Sequence, residues 1–458
     1  MSATVTLEPQ ASSGKAELEG LLSLITSATR DAMAIYENSG HGIPSIHSTT
    51  THPLDTDAAT FAMRNAIRTL EGACEQLCTT LAPPSHTLLN RSMAHFGPAA
   101  IRVAVEARIP DLLVDNPQGL PVTEISGKTG IDGGKLRKIL RALATKHCFC
   151  EVGPDVFANN RLSLTLVDSP ATDLLLLMMG TISEGSFSLP DSLKDPQFGP
   201  SEEGSKSAFM YFHKDKGING TFFNYLETNP DLTKRFGSGM VGWAKLTDNL
   251  SLVQDFPWRD LPSGTTLCDI GGGIGTVSMP LAKAHTHLQL TLQDQSSTLD
   301  LARAVWRKEY PQAVDEGRIS FVPIDFFMEG PVKGCDFYYV RHVIHNWPDV
   351  DAMIILKNIR QAMGSHSRLL IHEYIIPRSI YEAKNSGPRN VALAPEPLLP
   401  NYGAGNIRLY HQDLNMLCLL NAGERTRDEF KILGAQAGLE FVRVWDFAEN
   451  SIVEYKLA

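Results

Sequence analysis

The residues best suited to chemistry lie in the second half of the chain. A short apolar strand pattern at residues 265–270 ends beside Asp269, glycines follow at 271, 272, 273 and 275, and an apolar helical pattern begins at Val277. Glycines at such a junction permit a tight turn and let a ligand approach the backbone, while the amides of the helix N-terminus face it. The run lacks the Gly-Lys-Ser/Thr ending of an ATP-type phosphate loop. It also carries Thr276 where the dinucleotide fingerprint needs its third glycine. An acid beside the first glycine suits a cationic ligand and would repel a pyrophosphate. Two more acids follow successive strand patterns. Asp294 ends residues 288–293, where a carboxylate can accept from ribose hydroxyls, and Asp325 ends residues 319–324 with Phe326 beside it. Either acid can equally cap a helix. Two histidines, His342 and His345, follow a fourth strand pattern at 335–340, at the edge where open α/β sheets bind ligands. Spacing alone leaves the choice between them open.

Those side chains need a sheet to hold them. From about residue 260 onward, β-branched or apolar runs at 265–270, 288–293, 319–323, 335–340, 367–373 and 439–447 alternate with longer helical patterns. Strands alternating with helices predict an α/β domain with a parallel, doubly wound sheet, placed at 256–458. Ahead of it the chain divides into a helical extension (1–85), a small helical module (86–165) and a helical linker and pocket region (166–255). The extension holds helical patterns at 16–38 and 56–81 around a Gly/Pro/Ser/Thr/His-rich loop. In the module, Thr123 is expected to cap a short helix that Gly130 closes, and Asp132 to cap a second one. A hairpin around Gly153-Pro154-Asp155 completes a winged-helix pattern.

Lys135, Arg137, Lys138 and Arg141 on the second helix raise the possibility of a DNA-binding regulator. The net charge of −10 argues against a nucleic-acid partner. The first fifteen residues have no apolar signal core, and the longest apolar run, 174–179, is too short to span a bilayer. Seven scattered cysteines without a matching ligand cluster read as reduced thiols of a cytoplasmic protein that holds no zinc.

The acid-x-Gly-x-Gly-x-Gly run, from Asp269 through Gly271 and Gly273 to Gly275, resembles motif I of the Rossmann-type methyltransferases. This implies S-adenosyl-L-methionine as cofactor, a cation without phosphates. Asp269, Gly271, Gly273, Asp294, Asp325 and Phe326 are then expected around it. Arg341-His342-Val343-Ile344-His345-Asn346-Trp347 is similar to the signature of plant caffeic-acid-type O-methyltransferases and their fungal secondary-metabolite relatives. That resemblance covers roughly residues 88–458. It implies that His345 is the general base, that Arg341 touches the cofactor, and that Glu373 and Glu424 flank the base. It also implies a winged-helix dimerisation domain, a homodimer, and an acceptor pocket in which Met240, Trp243 and Met416 sandwich a planar ring. Phe209, Tyr211 and Phe212 are weaker candidates for that pocket. An insertion at 381–406 and a shortened loop before Glu424 depart from the plant pattern beside the expected pocket.

A phenol with a pKa near 10 is only about 0.1% ionised at pH 7, so a base that takes its proton makes the oxygen nucleophilic. No metal is required. The competing reading within this fold is an enzyme that binds S-adenosylmethionine and catalyses a dehydration or pericyclic step. Members of that kind typically have the base and its carboxylates altered, whereas His345, Glu373 and Glu424 are all present here.

Overall fold

The computed structural model describes residues 14–55, 60–247, 251–380 and 393–458. Residues 381–392 of the insertion lie outside them. The chain divides into two compact units, one formed by 1–43, 60–93 and 377–408 and the other by 44–59, 94–376 and 409–458.

In the first unit, helices Gly14–Asn38 and Phe61–Leu81 pack on each other. The second begins later than its apolar pattern suggests, because the Thr60 side chain accepts from the Met63 amide and sets the N-terminus there. Leu21 and Ala73 enclose a small core with Ala394, Leu398 and Tyr402, so the second half of the insertion is built into this unit. A Cβ at Gly72 would sit 2.3 Å from the Tyr402 carbonyl oxygen, which is why that helix carries glycine at the contact.

In the second unit, helices Phe96–Glu106 and Ile109–Val114 precede the helix–turn–helix and hairpin read from residues 122–158. Gly130 ends helix Val122–Thr129 in the left-handed conformation, and Asp132 accepts from the Lys135 amide to start helix Gly133–Thr145. Thr123 is not the cap expected of it: the helix starts at Val122 after Pro121, whose fixed φ already suits a helix entry. Strands Cys150–Gly153 and Val156–Ala158 form the hairpin. Its acids occupy two of the four cations on the second helix, Arg137 meeting Asp155 at 2.9 Å and Arg141 meeting Asp155 at 2.9 Å and Glu151 at 3.5 Å.

The main sheet has seven strands: β1 (Thr266–Ile270), β2 (Gln289–Asp294), β3 (Ile319–Pro323), β4 (Phe337–Arg341), β5 (Arg368–Glu373), β6 (Leu439–Asp446) and β7 (Ser451–Leu457). Their order is β3-β2-β1-β4-β5-β7-β6. The first five are parallel, as the alternation with helices predicts. β7 departs from the all-parallel expectation by running antiparallel between β5 and β6. A tight reversal at 447–450, with Ala448 at φ 77°, folds it back, and Ile452, Val453 and Tyr455 are buried. Two apolar clusters cover the faces, one with Leu267, Leu292, Trp306 and Tyr339, the other with Tyr338, Val340, Leu356 and Phe430. Tyr338 and Tyr339 are neighbours on β4 and point into opposite layers, as strand alternation requires.

Chain order reverses between β1 and β4, and that switch point positions the site. Ile270 pairs with Gln293 of β2 and Val340 of β4, and Arg341 with His372 of β5. The C-terminal ends of β1, β2, β4 and β5 therefore deliver Asp269, Asp294, Arg341 and Glu373 to one edge. No described helix is long and apolar enough to cross a membrane, and all seven cysteines are free.

Candidate active site

The glycine run forms a turn between β1 and helix Ser278–Ala284. Gly271, Gly273 and Gly275 have φ of 69°, 60° and 87°, which side chains rarely adopt. A Cβ at Gly275 would lie 2.6 Å from the indole nitrogen of Trp306, so the turn sits directly on that ring. Asp269 is 2% exposed beneath it. The Ser278 hydroxyl donates to Asp269 Oδ2, while Oδ1 is buried without a hydrogen-bond partner. Burial pushes this carboxyl up to about 7, reinforced by Asp294 and opposed by the Ser278 hydrogen bond and by Arg341. An orphaned acidic oxygen that a positive charge would bring back to its ionised form suits a cationic ligand.

Asp294 closes the other side. Its Oδ2 accepts from the Gly273 amide at 2.9 Å and its Oδ1 from Gln295 at 2.8 Å, each oxygen keeping a lone pair for a further donor. Arg341 ends β4 half-buried; its Nη2 lies 3.5 Å from the Thr247 carbonyl, and its Nε is buried without a partner. Asp325 is exposed and accepts from the Phe327 amide at 3.0 Å, the turn-capping role open to it from the start. Phe326 is half-buried, edge-on to Phe327 and Trp347.

The two histidines separate clearly. His345 lies in the turn Ile344–Asn346, 6% exposed. Its Nδ1 is 2.6 Å from Glu424 Oε1 and 3.3 Å from Glu373 Oε2. Glu373 Oε1 also accepts the amides of Val343, Ile344 and His345 at 3.1, 2.9 and 3.4 Å. Burial alone would lower the His345 pKa. The charges of Glu373 and Glu424 and the Glu424 hydrogen bond outweigh burial and push it up to about 9, against a small opposing effect of Arg425. His342 differs: its Nδ1 stays 3.7 Å from Glu373 Oε2, it makes no ion pair with Glu424, and neither buried ring nitrogen has a hydrogen-bond partner among the described residues. Burial and the positive charge of Arg341 hold it well below the usual histidine range.

Among the described residues, His342, His345 and Glu373 are the group whose ligand atoms lie close enough to hold a metal, within 4.8 Å. The two imidazole planes differ by only 27°. The ring centroids lie 5.1 Å apart, so the rings stack on each other.

Of the expected acceptor residues, Trp243 reaches this centre through one neighbour. Trp243 is edge-on to Tyr374 at 6.5 Å, and Tyr374 lies 5.4 Å from the His342 ring. Met240 is one helical turn from Trp243 on Pro230–Leu246 and is 36% exposed. Met416 is buried with Phe209 and Phe222, and Phe223 at the edge of that cluster stacks on Trp347 at 6.0 Å. Tyr211 and Phe212 turn instead toward lysines, Lys214 and Lys216. Ser278, Asp413 and Arg425 escape a reading of the sequence. Asp413 accepts from the Glu424 amide at 2.8 Å, and only Arg425 carried a signal, its place directly after Glu424.

The O-methyltransferase domain family matches residues 199–440, and the O-methyltransferase dimerisation domain family matches residues 91–169. A 3-O-methyltransferase 2 of Phanerochaete chrysosporium is 41% identical over 446 residues, spanning 96% of this chain and 97% of that protein. Among solved structures, CalO1, a methyltransferase in calicheamicin biosynthesis in its SAH-bound form, is 25% identical with a TM-score of 0.62 over 82% of this chain and 98% of that one. A protein described as a pericyclic reaction enzyme shares the fold at 20% identity, with a TM-score of 0.68 over 86% of this chain and 94% of that one. By these matches the chain belongs to the O-methyltransferase family, enzymes that transfer a methyl group from S-adenosylmethionine to oxygen.

Proposed function

We propose that the acceptor is a phenolic hydroxyl of a small aromatic secondary metabolite and that His345 is the general base. The observation that carries this reading is the pair of buried carboxylates on Nδ1 of His345. They orient the ring, stabilise its cation and leave Nε2, which has no hydrogen-bond partner among the described residues, to take the acceptor's proton. Bound S-adenosylmethionine supplies an electrophilic methyl on sulfonium, which the acceptor oxygen takes as the carbon–sulfur bond breaks. His345 then holds the phenolic proton and releases it to solvent.

Around the cofactor, Asp269, Gly271 and Gly273 would line the amino-acid end, Asp294 the ribose, Asp325 and Phe326 the adenine, with Arg341 alongside. Met240, Trp243 and Met416 would flank the acceptor ring. The match to the dimerisation domain supports a homodimer, and seven free thiols support a cytoplasmic setting. The four segments 1–85, 86–165, 166–255 and 256–458 would serve as extension, winged-helix dimerisation domain, pocket region and catalytic domain.

Transfer of labelled methyl to a panel of phenols tests the reaction. Labelled methyl ethers are expected, and tight cofactor binding without any labelled product would overturn the reading in favour of the non-methylating alternative. The cofactor assignment has its own test. Asp294→Ala removes both the ribose acceptor and the clamp on the Gly273 amide, so cofactor binding is expected to weaken by about 1–3 kcal/mol. Calorimetry showing unchanged affinity would take Asp294 out of the site.

A further inference from the structure

Glu424 is followed by a cation that proton transfer as described does not use. Arg425 is 7% exposed, and its guanidinium grips the turn that carries His345. Nη1 donates to the Ile344 carbonyl at 3.2 Å, Nη2 to the Trp347 carbonyl at 2.8 Å and Nε to the Asp349 carboxylate at 2.8 Å. The two carbonyls belong to the residue before His345 and to the second residue after it. Glu373 already holds the amides of the same turn. The segment thus has its N–H groups tied to a carboxylate and its C=O groups tied to a guanidinium. Arg425 is itself anchored: its carbonyl accepts from the Ile376 amide at 3.0 Å, next to a parallel bridge between Ile375 and Arg425. One short piece of chain therefore orients His345 twice, by Glu424 on the ring and by Arg425 on the backbone.

We infer that Arg425 is a positioning residue for methyl transfer, its planar fork fixing the His345 turn so that Nδ1 stays on Glu424 and Nε2 stays aimed at the acceptor oxygen. The inference rests on His345 being the base. Such a fork requires arginine, because a lysine ammonium is a single point charge that cannot span two carbonyls and a carboxylate in one plane. Arg425 also opposes protonation of His345. The groups facing that ring are Glu373 from β5, Glu424 and Arg425 from the segment after helix Ile407–Leu420, and His342 from the end of β4.

The test compares R425K, which keeps the charge and loses the fork, with R425M, which loses both. On the high-pH plateau of kcat, both are expected to fall tenfold or more, with acceptor KM and cofactor Kd within threefold of the parent. The pH limb is expected to stay in place for R425K and to move to higher pH for R425M. A plateau within threefold of the parent for either variant, an unmoved limb in R425M, or a loss that merely tracks cofactor affinity would overturn the positioning role. H345A, run alongside, separates the two levels: if it still turns over, the base assignment fails; if it is inactive while both arginine variants keep their plateau, only this inference fails.

Discussion

His345→Ala is expected to lower methyl transfer by roughly 10²–10⁴-fold, the usual worth of a positioned general base, while cofactor affinity stays within a few fold. The separation follows from connectivity. The hydrogen-bond partners of His345 are Glu373 and Glu424, whereas the amides of the glycine turn are tied to Asp294 and the Gln293 carbonyl. Removing the imidazole leaves two buried carboxylates facing each other without their cation, so one of them holds a proton in the variant. That changes stability more than it changes the cofactor cradle. A phenol already ionised at the assay pH does not need the base and should lose far less activity than an ordinary phenol. Equal losses for both acceptors, measured as kcat/KM on the folded variant, would mean that His345 does not handle the proton; full activity would mean that the base lies elsewhere.

How far the sequence reaches depends on whether a feature is local. The glycine turn is legible because its constraints sit within a few residues: positive φ at 271, 273 and 275, and a helix starting at Ser278. The five parallel strands are legible for the same reason, since each is a compact apolar run. β7 was missed because it is reached by a four-residue reversal and carries Glu454 and Lys456 among its apolar residues, which blurs a pattern built on alternation with helices.

The histidines show where local reading stops. His342 and His345 stand three residues apart on the same approach, and what distinguishes them is Glu424, 79 residues further along the chain. The resemblance to known enzymes proposed that partner; spacing did not. Tyr402 reaches Arg68 across 334 residues, so the insertion's place among the N-terminal helices had no local signal at all. Asp325 marks the opposite case. Its carboxylate caps the turn after β3, and an acid at a strand end looks the same in sequence whether it caps a turn or meets a ligand.

The pH profile is the second large effect expected. With its pKa pushed up to about 9, His345 is only about 1% neutral at pH 7 before anything binds. Because the neutral form is the base, kcat/KM measured at limiting cofactor should rise about tenfold per pH unit through neutrality and level off near pH 9. A base of that strength is nearly matched to a phenol, so the proton moves only about one pKa unit uphill, against about three and a half for an ordinary histidine. A positive charge bound nearby lowers a histidine pKa, so the limb in kcat, which reports the loaded enzyme, should lie at lower pH than the limb in kcat/KM. Stability runs the other way. The fold binds this proton more tightly than the unfolded chain does, so the stabilisation is complete below pH 6.5 and is lost as pH rises through about 9. Glu424→Gln removes one of the two charges that raise the pKa. The limb should then move to lower pH, and plateau kcat should fall roughly 10²-fold, because the imidazolium formed in the reaction loses its closer counter-charge. The two effects have opposite signs at neutral pH, so they must be read from a full profile and not from a single assay. A limb that stays near pH 9 in Glu424→Gln would show that the carboxylate 2.6 Å from Nδ1 does not set the basicity of His345.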